Sequence, residues 1–134
     1  MFVGGSQPKT GAFVQGIPLV LAFDWKTGLG KPVYKGATDA EGYVHDLHWH
    51  PDGFLTFVTS GQPGQGKLVF QRPTEPQPFF SQPVPNPHSL TFHGRRLIVS
   101  ATNANSSGNG RVKGKGENDY PGNFSPLHVF DLPG

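Results

Sequence analysis

Six histidines and no cysteine bound the chemistry open to this chain of 134 residues. Without thiols, a disulfide framework, a thiolate metal site and a cysteine nucleophile are all excluded. His45 and His88 stand 43 residues apart in similar settings, Val44-His45-Asp46-Leu47 and Pro87-His88-Ser89-Leu90. Neutral imidazole is a ligand for zinc, copper or iron, and it titrates near neutral pH. Two such ligands fall short of the four of a closed zinc site, so a metal on His45 and His88 needs further donors. The competing reading is that each histidine caps its strand through a backbone hydrogen bond. Asp46, which aligns with Ser89, is a candidate to position a ligand or water, with structural bonding as the alternative. His50 and His93 each precede a turn and read as turn-bonding residues. His48 reads as a solvated strand residue.

The segment 103–126 carries Asn103, Asn105, Arg111 and Tyr120, which are candidates for contact with a ligand or partner. Its Asn, Asp and Glu content invites a calcium reading, but the spacing does not match an EF-hand loop. Its glycine run, Gly108–Gly114, leads into no helix and is not a nucleotide fingerprint. Phe124 is expected to tuck back onto the body of the protein, leaving Tyr120 available for contact. No Gly-x-Ser-x-Gly elbow is present.

The elements that must position these residues are legible in the composition. Nineteen Gly, 14 Pro and 12% aromatic residues, with only 15% charged residues, point to short strands joined by tight turns. The same figures argue against a helical bundle or charge-driven disorder. The net charge is +2, and outside Arg95-Arg96 and Arg111, Lys113 and Lys115 the basic residues are scattered. No nucleic-acid footprint is expected from such a distribution. The longest apolar run, Ile17 to Phe23, is too short to span a bilayer, and the first residues lack the charged start and apolar middle of a signal peptide.

A repeat organises the chain. In residues 44–61 and 87–102, His45 aligns with His88, Leu47 with Leu90, Trp49 with Phe92 and His50 with His93; one deletion later, Leu55 aligns with Leu97 and Phe57 with Val99. Each unit begins with alternation of period 2, Leu47 and Trp49 on one face and His48 and His50 on the other, as in a half-buried strand. A turn and a second β-rich run make a hairpin. A third run recurs at Leu19–Asp24, Lys67–Gln71 and Leu127–Asp131, with its Phe aligned in all three. Weaker fourth runs, Pro32–Lys35 and Pro78–Val84, contain prolines that suit an edge strand.

With strands lettered a to d from inner to outer, the order is b-c-d-a-b-c-d-a-b-c. This predicts an all-β fold, an incomplete β-propeller segment of four-stranded antiparallel blades, with blade parts at about 1–37, 44–84 and 87–132 of one domain. A blade takes about 40–45 residues and a ring typically 4–8 blades. The expected two and a half or so therefore leave the ring open. The chain then reads as a segment of a longer protein, which neither end contradicts, or as one copy of a ring-forming assembly. An open β-sandwich is the competing architecture.

The runs V-H-D-L-H-W-H-P-D-G, L-T-F-V-T-S-G and G-K-L-V-F, and later H-S-L-T-F-H-G-R-R-L-I-V-S-A-T-N, resemble a WD-repeat-type blade. The WD dipeptide is missing; the positions read Phe23-Asp24, Phe70-Gln71 and Phe130-Asp131. The segments N-P-H-S-L-T-F-H and V-H-D-L-H-W-H-P-D-G are also similar to lactonase-type and NHL-type propellers. The resemblance covers nearly the whole chain and implies the fold more than the function, because propellers host unrelated activities. It favours an extracytoplasmic location.

In this topology the d–a and b–c loops share one end of the propeller, and the a–b and c–d turns share the other. The two long loops, about Gly4 to Pro18 and Asn103 to Pro126, are both b–c loops, and His45 and His88 open the a strands at the same end. The leading expectation is a non-catalytic binding or scaffold module that presents this end to a protein partner, to further blades or to other copies. The alternative is a lactonase- or lyase-like enzyme holding zinc, copper or iron through channel histidines, as the NHL resemblance implies. A third reading is self-assembly through unpaired edge strands.

Overall fold

The computed structural model describes residues 1–8, 16–38, 41–61, 65–101 and 127–132, the side chains of residues 6–8 excepted. Ten strands form three antiparallel sheets. The first holds β1 (Phe2–Pro8), β2 (Gly16–Asp24) and β3 (Leu29–Lys35) in that order. The second runs β4 (Tyr43–His50), β5 (Phe54–Ser60), β6 (Lys67–Gln71) and β7 (Phe80–Pro83), and the third β8 (Pro87–His93), β9 (Arg96–Ala101) and β10 (Leu127–Asp131). Lettered from the inside, this is b-c-d, a-b-c-d, a-b-c. The fold is all-β and propeller-like, with the strand order that the repeat predicts.

Turn chemistry sets the register. His50 pairs with Phe54 around Pro51-Asp52-Gly53, where Gly53 takes φ 90°. His93 pairs with Arg96 around Gly94-Arg95, a two-residue loop with Gly94 at φ 61°. Both are hairpin connections that put glycine in the left-handed region.

Packing follows from alternation. All seven residues of β5 are buried, so the middle sheet is covered on both faces. Leu55 and Phe57 point one way and join Val20, Tyr34, Val44 and Val69 in a core between the first and middle sheets. Phe54 and Val58 point the other way and join Leu68, Leu90, Leu97 and Val99 in a core between the middle and third sheets. The two faces follow from the strand period of 2.

The first strand is longer than its sequence suggests. Gly4 and Gly5 were expected to open a loop, yet β1 continues to Pro8, with Gly4 opposite Val20 and Pro8 opposite Gly16. Cross-strand pairing overrides the weak local propensity of glycine here. Gly4 also marks a close approach of sheets, since a Cβ there would lie 2.7 Å from Val44 Cγ1. The connection between β1 and β2 is thus reduced to residues 9–15, which lie outside the described residues.

Candidate functional site

The opening strands of the middle and third sheets, β4 and β8, are each interrupted by a β-bulge, and each bulge holds a histidine. The register of β4 shifts between Val44 and Asp46, leaving His45 without a partner on β5. The register of β8 shifts between Pro87 and Ser89, leaving His88 without a partner on β9. Bulges re-aim side chains and recur beside functional sites. Here they turn the two repeated histidines toward each other across the junction of two sheets, with ring centroids 5.2 Å apart. Tyr43 flanks His45 at 4.2 Å.

His45 is half-buried and His88 exposed. Burial is the main cause that holds the His45 imidazole below the usual histidine range; the neighbouring His88 adds to it and the Asp46 carboxylate opposes it. His45 is thereby held toward its neutral form, in which the imidazole can accept a hydrogen bond or ligate a metal. Among the described residues, no group of three or more His, Asp or Glu side chains is placed to hold a metal ion. Further donors would have to come from outside that set.

Asp46 is committed to backbone. Its Oδ2 accepts the N–H of Leu90 at 2.9 Å, a bond from the middle sheet to the third. Its Oδ1 accepts the N–H of Leu47 at 3.0 Å and lies 3.1 Å from His48 Nε2. At the equivalent position Ser89 bonds Ser100 at 2.7 Å. His50 Nδ1 accepts the N–H of Asp52 at 3.1 Å, the turn bond expected of it. Asn103, Asn105, Arg111, Tyr120 and Phe124 lie outside the described residues.

The histidine end is stitched together. Gly42 donates its N–H to Gly16 O, Gly36 to Pro18 O and Asn86 to Gln65 O. Gly42 takes φ 83° against the carbonyl of Ser60, a place that admits no Cβ. Sequence reasoning missed Glu41 here. It is 6% exposed and meets Lys67 Nζ at 3.0 Å, tying the β3–β4 loop to β6. Burial, and then Glu41, push the Tyr34 phenol up to about 12. A lone acid between Ala40 and Gly42 gives no periodic signal that could have revealed this.

Sequence reasoning also missed a groove of about 630 Å³ at the opposite end, between the middle and third sheets. Its walls include Phe54, Phe70, Phe79 and Phe92, with Arg72 and Arg95 beside them. Comparison with known protein families, with curated proteins and with solved structures finds no match for this chain. Among the described residues no helix is long and apolar enough to cross a membrane.

Proposed function

We propose that this chain is a non-catalytic binding module of WD-repeat-like propeller type, which presents its histidine end to a protein partner. The observation that carries this reading is the pairing of His45 and His88 in matched bulges at the end where the b–c and d–a connections gather. A rigid sheet edge displaying two imidazoles and Tyr43 is a surface for hydrogen bonding and aromatic contact. Asp46 supports the site as a positioning residue, since its carboxylate is occupied by the Leu90 and Leu47 N–H groups.

The test is quantitative capture of partners by the wild type, by a His45→Ala/His88→Ala double variant and by Phe79→Ala at the other end. A partner that the double variant loses and Phe79→Ala retains supports the reading. A partner retained by the double variant overturns it.

A second reading, a lactonase- or lyase-like metal enzyme, draws support from the same 5.2 Å pair, whose His45 is held toward the neutral, ligating form. Metal analysis of the purified protein separates the two. Stoichiometric zinc, copper or iron that the double variant loses favours the enzyme; an unchanged metal content in the double variant rules out these ligands.

A further inference from the structure

We infer that this chain associates head to tail with a second copy, the outer face of its first sheet seating on the outer face of the other copy's third sheet. The packing inside the chain supplies the template. At both internal junctions the leading face of one sheet lies on the trailing face of the sheet before it. Leu55, Phe57 and Val69 of the middle sheet lie against Val20 and Tyr34 of the first. Leu90, Leu97 and Val99 of the third lie against Phe54, Val58, Leu68 and Phe70 of the middle. Among the described residues one face of each kind has no sheet upon it, the leading face of the first sheet and the trailing face of the third. The kind of surface that covers a trailing face is therefore already present on the same chain.

Both open faces carry apolar rows on their b and c strands. On β2, Val20 joins the core, so Leu19, Leu21 and Phe23 stand on the opposite face by the strand period. They are half-buried, and Val3, opposite Leu21 on β1, is 45% exposed. On the third sheet, Leu97 and Val99 face the core, which turns Ile98 and its partner Val129 outward. Val129 pairs with Ile98 as Phe70 pairs with Thr56, so Leu127 and Val129 hold the places that Leu68 and Phe70 hold in the middle sheet. Under a covering sheet, Leu68 and Phe70 are 0% and 6% exposed; Leu127 and Val129 are 66% and 54% exposed. An apolar row left in water where its counterpart is buried marks an interaction surface. Arg96 and Asp131 at the end of this row already pair at 3.0 Å, and Ser89 bonds Ser100, so these groups enter an interface with partners. A contact between two different faces closes on itself only in a ring. Each copy supplies three sheets, so two copies supply six, within the roughly 4–8 of closed propellers, and three copies would exceed that range. The assembly is thus a closed pair. It shares no residue with His45 and His88, so its failure and that of the partner reading are distinguishable.

Sedimentation velocity over a wide range of concentration tests this with the wild type, Val3→Asp and Val129→Lys. Both substituted positions are exposed in the single chain, so each variant should keep the fold, which circular dichroism and thermal unfolding verify. The wild type should form a dimer, and each variant alone should lose it, because each spoils both junctions of the pair. An equimolar mixture of the two variants should regain the dimer. One junction then joins two intact faces, and the other brings the introduced acid and the introduced base to the same interface. A face packing on its own copy predicts otherwise, since one variant would remain a dimer and mixing would rescue nothing. A wild type that stays monomeric, species larger than a dimer, a dimer that survives either substitution, or a mixture that stays monomeric overturns the inference.

Discussion

At the scale of single residues, partial burial sets His45 apart from an ordinary exposed histidine. Burial first, then His88, disfavour its charged form, and Asp46 offsets part of that effect. Its folded pKa lies below its unfolded value, so the folded state binds fewer protons as acid is added. Stability is then full above the ordinary histidine range and declines as pH falls through that range toward the folded pKa. Thermal unfolding followed from pH 8 to pH 5 should show this decline, and His45→Gln should flatten it. An identical pH profile for the variant would refute the assignment. The repeat in the sequence identified His45 and His88 as equivalent, and the structure keeps them equivalent, each in a bulge. The bulges themselves left no sequence signal, because an extra strand residue is visible only against its partner strand.

At the scale of elements, one carboxylate adds a hydrogen bond to the apolar junction between the middle and third sheets. Asp46 Oδ2 receives the N–H of Leu90, a residue 4% exposed, so removing the carboxylate takes that acceptor from a buried donor. Leaving such a donor unpaired costs about 1–3 kcal/mol. Asp46→Ala should lower the denaturation free energy by about that amount, and Asp46→Asn, which keeps an acceptor oxygen, by less. Chemical denaturation of the two variants checks the order, and equal losses would show that the Leu90 bond is not the cause. The alternation of Leu47 and Trp49 against His48 and His50 was legible in the sequence and is observed. Leu47 packs toward the first sheet and Trp49 stacks on Phe2 at 5.5 Å, while His50 meets Phe92 of the third sheet. The carboxylate bond was not legible, since Asp46 and Leu90 are 44 residues apart and meet only when the sheets stack.

At the scale of the whole molecule, the middle sheet is the shared wall of two cores. Phe57 is fully buried with the first-sheet residues Val20 and Tyr34, and stands edge-on to Tyr34 at 4.8 Å. Truncating a buried Phe costs about 3–5 kcal/mol. Phe57→Ala should therefore lower the unfolding midpoint strongly, and amide exchange at Val20 of the first sheet and at Val69 of the middle sheet should report the same shifted transition. Separate transitions would show that the sheets unfold as independent units. The sequence by itself determined the number of strands, their order and the end at which His45 and His88 fall, because period-2 alternation, turn residues and a repeat are local signals that survive translation along the chain. Only the tertiary structure decided how the sheets face one another. Stacking them set His45 against His88, bound Asp46 to Leu90, buried Glu41 against Lys67, and opened an aromatic groove between Phe79 and Phe92. Each of these depends on residues far apart in sequence, whose meeting is fixed by packing rather than by local propensity.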